Sequence, residues 1–239
     1  ADKSKVLKQW KDREPRFYVN ITYSGSIWLN EGKYNEEMRT DFTNGANGTC
    51  GKSKASGDCP DSGYLIRRGA KASNNNGSKH FSPVLRLADM YLGYAEALCM
   101  CSDLDNALTY LNKIRVRAGI PEYTFTATAG KITCPKTQTD RIRRERLVEL
   151  VFEWNRYFDV RRWKVAEGQN DPEHWIYPAY HTGGEGGKVY GMNMDKDYPA
   201  FFERTSFETR VAFTKKQYFM PIPYDDLRRI PSLVQNLGW

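Results

Sequence analysis

The chain has 239 residues, enough for one large domain or two small ones around a substantial core. Charged residues make up 27% of it and the formal net charge is +7, yet tyrosine and tryptophan are plentiful, which argues against a disordered chain. No apolar run approaches the roughly 18 residues of a membrane-spanning helix, and no block of like charges marks a nucleic-acid tail, so the charge is read as spread over solvated helix faces.

The chain begins "ADKSKVLKQW", with no initiator Met and no apolar signal core, as expected of a processed chain or a piece of a longer one. In "RFYVNITY", Phe17, Val19, Ile21 and Tyr23 alternate with Tyr18, Asn20 and Thr22. That pattern predicts a half-buried strand ending in a turn at Ser24-Gly25. Residues 44–79 are mostly Gly, Ser, Asn, Lys and Asp, broken by "YLIRRG", and predict a long irregular loop with one short ordered stretch. Cys50 and Cys59 lie in that loop, close enough in sequence to form a small disulfide in an oxidising compartment. Zinc is not expected: no CxxC occurs, and His80, His174 and His181 are scattered.

At Ser82 the character changes. Ser82 suits an N-cap and Pro83 the first helical position, after which Val84, Leu87, Tyr91, Ala95 and Leu98 recur at helical spacing. Ser102 to Asp105 form an S-x-x-D box that opens a second helix through Ala107, Leu108, Leu111 and Ile114, ended by Gly119 and Pro121. Two such helices with a short connection make a tetratricopeptide-type hairpin, in which Ala95, Ala97 and Ala107 allow close approach. One hairpin cannot bury its own face and needs neighbours. A third helix starting near Thr139 or Asp140 supplies one.

The stretch "RIRRERLVELVFEWNRYFDVRRWK", residues 141–164, reads as one helix and its exit. Leu147, Leu150, Val151, Trp154 and Phe158 project on one apolar face, and Glu145, Glu149 and Glu153 on the other. Glutamates at that spacing repel unless cations neutralise them; Arg141, Arg146 and Arg156 lie within reach of Glu145, Glu149 and Glu153. The expectation is a helix enclosed by protein with its charges paired, and with Trp154, Tyr157, Phe158 and Trp163 serving packing. Neutralised glutamates make poor glycosidase acids, and the interleaved acids would repel a DNA backbone. After Ala166 no helical or strand period is evident, and the tail "YFMPIPYDDLRRIPSLVQNLGW" predicts one short helical turn around residues 225–229.

Four segments, in order, resemble the C-terminal part of the SusD/RagB family. They are "EPRFYVNITYSGSIW", "SPVLRLADMYLGYAEAL" with "ALTYLNKIRVRAGIP", "RIRRERLVELVFEWNRYFDVRRW", and the ending "YFMPIPYDDLRRIPSLVQNLGW". Trp154 stands where the family often has Gly, Leu237 where it has Pro, and Trp239 where the aromatic is usually Tyr. The resemblance implies a mainly α fold: a tetratricopeptide-type helical hairpin and packed helices, with long irregular loops and a few short strands. The expected organisation is a strand and loop region over residues 1–81, a helical core over 82–166, and an irregular region with the tail over 167–239. The family's lipidated cysteine and most of its repeats lie in an N-terminal part that this chain does not contain.

The resemblance implies no catalysis and no cofactor. It implies glycan capture at the extracellular face of the outer membrane, as a lipoprotein partnered with a SusC-type TonB-dependent transporter. The ligand is an oligosaccharide or, in RagB-like branches, a peptide. Aromatic rings in irregular segments are the candidate platforms for sugar faces: Trp28, Tyr34, Tyr64, Trp175, Tyr177 and Tyr180, with Asn30 and His181 as polar neighbours. The bland alternative for each is a loop aromatic packed on the core. Rival classes are a glycan hydrolase using loop carboxylates such as Glu173 or Asp225, and a basic helical nucleic-acid module, which is not expected.

Overall fold

The computed structural model describes residues 10–28, 36–38, 40, 59–69, 84–124, 132–133, 138–167, 186–196 and 199–239. It divides into two compact units: Ala1–Trp154 with Gly191–Thr205, and Asn155–Tyr190 with Ser206–Trp239. Helices dominate, and each described sheet has only two strands.

The first unit opens with a departure from the strand pattern in "RFYVNITY". Pro15–Asn20 form a helix (α1), and only Ile21–Thr22 (β1) are extended. Pro15 occupies the first turn, where its locked φ suits a helix and its missing N–H costs nothing. The helical path buries Arg16 and Asn20, one turn apart, and leaves Val19 exposed. Burial of Arg16 against distant glutamates outweighs the local alternation. The turn that follows matches expectation: Gly25 has φ 92°, and Ser26 N–H donates to Tyr23 O at 3.0 Å.

β1 pairs antiparallel with Leu65–Ile66 (β4), the ordered stretch foreseen in "YLIRRG". Between them in sequence, Ile27–Trp28 (β2) pairs antiparallel with Glu36–Glu37 (β3). Thr22 is fully buried, and its hydroxyl has no hydrogen-bond partner among the described residues. Thr22→Val keeps the shape and removes that unmet polar group. It is expected to raise stability by up to about 1 kcal/mol, read from the urea midpoint; a loss of similar size would show that the hydroxyl is bonded.

The helical core starts later than its sequence signal. The first long helix is Leu87–Met100 (α2), and Val84 and Leu85 precede it fully or largely exposed. Ser82 and Pro83 lie outside the described residues. Arg86 is the N-cap, held extended so that its guanidinium reaches Glu149 and Glu153. The buried face is Ala88, Leu92, Ala95 and Glu96, so Leu87 turns outward, one position from the expected face. The second helix, Leu104–Arg117 (α3), has its N-cap, Asp103, one residue beyond the predicted Ser102. Asp103 accepts from Asn106 N–H, while Ser102, at φ 63°, closes α2. Ala107, Leu108, Leu111 and Ile114 are buried as predicted; Ala97 is exposed. Gly119 ends the helix at φ 69°, with Ile120 N–H donating back to Arg115 O at 3.1 Å, a left-handed stop that a Cβ would strain.

The third helix, Gln138–Glu149 (α4), packs on α2 and α3. Ile142 and Leu150 join Ala88, Leu92, Ala95, Leu111 and Tyr123 in one core. Tyr123–Thr124 (β5) pairs parallel with Ile132–Thr133 (β6). A second core in this unit gathers Trp10, Met194 and Phe201 with Phe17, Tyr23, Tyr64, Met192 and Phe202 around it.

Residues 141–164 are not one helix. α4 ends at Glu149, and Asn155–Arg162 form a separate helix (α5) in the second unit. The break has an identifiable cause. The Glu149 carbonyl, which would have received the Glu153 N–H, instead accepts from Arg68 at 2.9 Å and Arg86 at 2.7 Å. Glu153 N–H donates to Leu150 O at 3.1 Å. Cations at a helix C-terminus are favoured by its partial negative charge. Phe152 and Trp154 sit at φ 65° and 67°, a conformation costly for side chains of that size. The break also overturns the projected apolar face. Leu150 is buried, but Trp154 is 87% exposed and Phe158 65% exposed.

In the second unit, Val160, Val165 and Ala166 form the core, with Trp163, Phe213 and Tyr218 against them. Trp163 thus packs as expected, whereas Tyr157, expected to pack, is exposed and lies beneath the Arg161 guanidinium, 3.6 Å from its ring centre. Gly187–Gly191 (β7) and Thr205–Arg210 (β8) pair where no strand period was legible. Tyr224–Arg229 (α6) is the predicted turn of helix. The tail closes on itself. The Gln235 carboxamide exchanges two hydrogen bonds with the Ile222 backbone, Asn236 Nδ2 donates to Met220 O, and Trp239 Nε1 donates to Lys216 O.

Candidate functional site

The densest chemistry among the described residues is an arginine–carboxylate cluster in the first unit. α4 places Glu145 and Glu149 one turn apart, both buried, and Glu153 follows the break. Arg16, on α1, donates to Glu145 at 2.6 Å and Glu149 at 3.1 Å. Arg115, on α3, donates to the other Glu145 oxygen at 2.6 Å. Arg86 bridges Glu149 and Glu153, each at 2.7 Å, Arg117 also holds Glu149, and Arg68 holds Glu153. Arg146, which had been matched with Glu149, instead pairs with Asp89 at 2.5 Å. The expected enclosure and pairing of the glutamates are borne out. Arg146, assigned to Glu149 from helical spacing, is not its partner, because the guanidiniums that hold Glu149 arrive from other elements.

Burial alone would raise the Glu149 pKa. Hydrogen bonds from Arg86 and Arg16 outweigh it and hold the carboxyl below the usual carboxylate value. A carboxylate so fixed is a counter-ion, not a proton donor to a glycosidic oxygen. The cluster ties α1, α2, α3 and α4 together.

The ligand candidates are placed unevenly. Tyr64 is half-buried; its ring stands edge-on to Trp10 and its hydroxyl accepts the Trp10 Nε1–H at 3.1 Å. Trp28 lies on β2, its backbone opposite Glu36. Asn30, Tyr34, Trp175, Tyr177, Tyr180 and His181 lie outside the described residues, as does Glu173. Asp225 is exposed in the first turn of α6. Cys59 is a free thiol in this structure; Cys50, which the spacing would allow as its partner in an oxidising compartment, lies outside the described residues. Trp154, assigned to packing from its helical projection, is an exposed ring. No residue pattern announces it, because its outward aim follows from the break after α4.

An open recess of about 520 Å³ runs along α3, lined by Leu108, Asn112, Lys113, Val116, Arg117 and Glu122. Its polar groups are engaged elsewhere: Asn112 exchanges two hydrogen bonds with the Tyr123 backbone, and Arg117 is bound to Glu149.

The four motif segments therefore map onto α1 with its buried Arg16, the α2–α3 hairpin, the α4–α5 stretch and the self-clasped tail. The model of the SusD family matches residues 1–239, the full chain. The chain belongs to the SusD family. A SusD-like protein of Bacteroides ovatus is 30% identical over 168 residues, covering 63% of this chain and 28% of that protein. The structure of a SusD-like protein from Bacteroides fragilis matches with a TM-score of 0.71 at 28% identity, over 96% of this chain and 40% of the other. A SusD-like carbohydrate binding protein of the same species shares the fold, with a TM-score of 0.62 at 24% identity over 92% of this chain and 41% of that one. This SusD-family chain thus spans less than half the length of the relatives it matches. The mainly α SusD-like architecture expected from the sequence is the one observed.

Proposed function

We propose that the chain forms part of a non-catalytic cell-surface receptor that captures oligosaccharide and passes it to a SusC-type TonB-dependent transporter in the outer membrane. The observation that carries this reading is the SusD-family match over the whole chain. Its chemistry agrees: the clustered carboxylates are committed to arginines, and the aromatic candidates stand in segments between helices. Recognition then rests on rings stacked against sugar faces and on amide or imidazole groups bonding hydroxyls. The ligand residues proposed are the eight named from the sequence. Tyr64 is already engaged with Trp10, so its truncation is expected to cost stability as well as affinity.

Titration calorimetry of the complex with a panel of oligosaccharides and peptides tests the proposal. Alanine at Trp175 or Tyr180 is expected to weaken oligosaccharide binding roughly tenfold, about 1.4 kcal/mol, without changing the melting temperature. No new reducing ends are expected during incubation. Turnover abolished by Glu173→Gln or Asp225→Asn would replace the receptor with a hydrolase, and binding of peptides alone would replace the glycan with a peptide.

A further inference from the structure

Two large aromatic residues stand in a costly backbone conformation at the break after α4. Phe152 and Trp154 have φ of 65° and 67°, in the left-handed region that bulky side chains avoid. Such strain persists only where the surroundings enforce it, and it gathers at ligand clamps and active sites. The enforcing groups here are arginines. Arg68 and Arg86 take up the Glu149 carbonyl and also hold the carboxylate of Glu153, the residue between the two rings. Glu153 N–H donates to Leu150 O, which closes the turn. The turn is therefore set before any ligand arrives.

The strain returns little to packing. Trp154 is 87% exposed, against 2% for Trp10 and 46% for Trp239, and Phe152 is exposed as well. An indole ordinarily contributes to stability by being buried, so one held rigidly in water at a strained position is not explained by stability. Glycine would hold the same φ without strain.

The surroundings point to a class of ligand. A ring fixed in advance loses little freedom on binding, so a single stacked face contributes more to affinity. Glu153 and Arg68 both remain partly exposed. A carboxylate has about four acceptor sites, so Glu153 can accept from a hydroxyl while it stays bonded to the arginines. A flat apolar ring beside a charged hydrogen-bonding pair matches a pyranose, which has a C–H face and a rim of hydroxyls. A hydrophobic protein interface would be built on adjoining apolar side chains, whereas the residues on both sides of Trp154, Glu153 and Asn155, are polar.

We infer that the Phe152–Trp154 turn is a carbohydrate contact, in which the Trp154 indole stacks on a pyranose ring and the Glu153–Arg68 pair bonds its hydroxyls. The inference rests on the receptor reading above and adds to it a ligand position outside the eight named from the sequence.

The test uses the whole subunit in its native complex. A broad glycan array identifies an oligosaccharide that the parent binds, and calorimetry compares the variants with that oligosaccharide. Trp154→Gly removes the ring and suits the left-handed backbone. It is expected to weaken binding roughly tenfold while the melting temperature stays level or rises. Trp154→Phe keeps a flat ring and is expected to hold affinity within about threefold. With fluorotryptophan incorporated, the fluorine resonance missing from Trp154→Phe is expected to report an indole open to water, and to shift when the oligosaccharide is added. Unchanged affinity in Trp154→Gly would overturn the inference and leave the receptor reading standing. So would a Trp154 indole shielded from water in the ligand-free complex, or a fall in melting temperature in Trp154→Gly, either of which would assign the ring to a protein contact. A parent complex that binds no glycan on the array would overturn both readings.

Discussion

Glu149→Gln is expected to lower the unfolding free energy by about 3–5 kcal/mol at neutral pH, read as a fall in the urea midpoint at unchanged slope. The carboxylate is 2% exposed and receives Arg16, Arg86 and Arg117. Removing its charge leaves the buried cluster short of carboxylate, with Arg16 held by Glu145 and Glu14 and Arg86 by Glu153 alone, whereas the glutamine itself fits the space. A midpoint within 1 kcal/mol of the parent would show that water or neighbouring carboxylates can take over the pairing. The same substitution should change the response to acid. The folded carboxyl titrates below the ordinary 4.5, despite burial, because Arg86 and Arg16 bond its charged form. Its contribution is therefore complete above the unfolded value and is lost as pH falls through the lower, folded value. The parent is expected to lose stability on acidification from about pH 4.5 downward, and Glu149→Gln to lose less.

Leu92→Ala is the second large effect expected, with a loss of about 2–5 kcal/mol and a lower melting temperature. Leu92 is fully buried at the centre of the α2–α3–α4 core, and truncation leaves a cavity that the three helices cannot easily close. One residue further on, Gly93→Ala should act in the opposite direction, raising stability by about 1 kcal/mol, since the new methyl meets only open space in this structure. Opposite signs at adjacent positions would confirm which side of α2 faces the core. Destabilisation by both would mean that the Gly93 side is already covered within the chain.

Much of this was legible in the residues. Ala107, Leu108, Leu111 and Ile114 repeat at helical spacing and are buried, and Gly119 stops α3 in the left-handed conformation its position implied. The short helix in the tail lies where "PYDDLRR" places it. The start of α2 was less legible. Leu87 fits the apolar period but faces outward, because the helix is hydrophobic on two sides and periodicity alone does not say which side meets the core. At α1, an alternating pattern signalled a strand, and a buried ion pair to α4 overrode it. Of the candidate ligand residues, Tyr64 lies in the packed Trp10 cluster. Trp154, read as core, is turned out to solvent by a carbonyl that two arginines hold.

The sequence by itself determined the family, the helical hairpin and the presence of a glutamate row that needed cations. The order of four motif segments and the spacing of apolar residues are local properties, and they survive folding unchanged. Only the tertiary structure decided which cations answer the glutamates and where the long helix breaks. Arg16 meets Glu145 across 129 residues of sequence, and Arg86 meets Glu153 across 67. An exposed pair one helical turn apart is worth only a few tenths of a kcal/mol, whereas a buried carboxylate left unpaired costs several. The buried partners therefore prevail over the near ones, and their identity depends on which elements fold together.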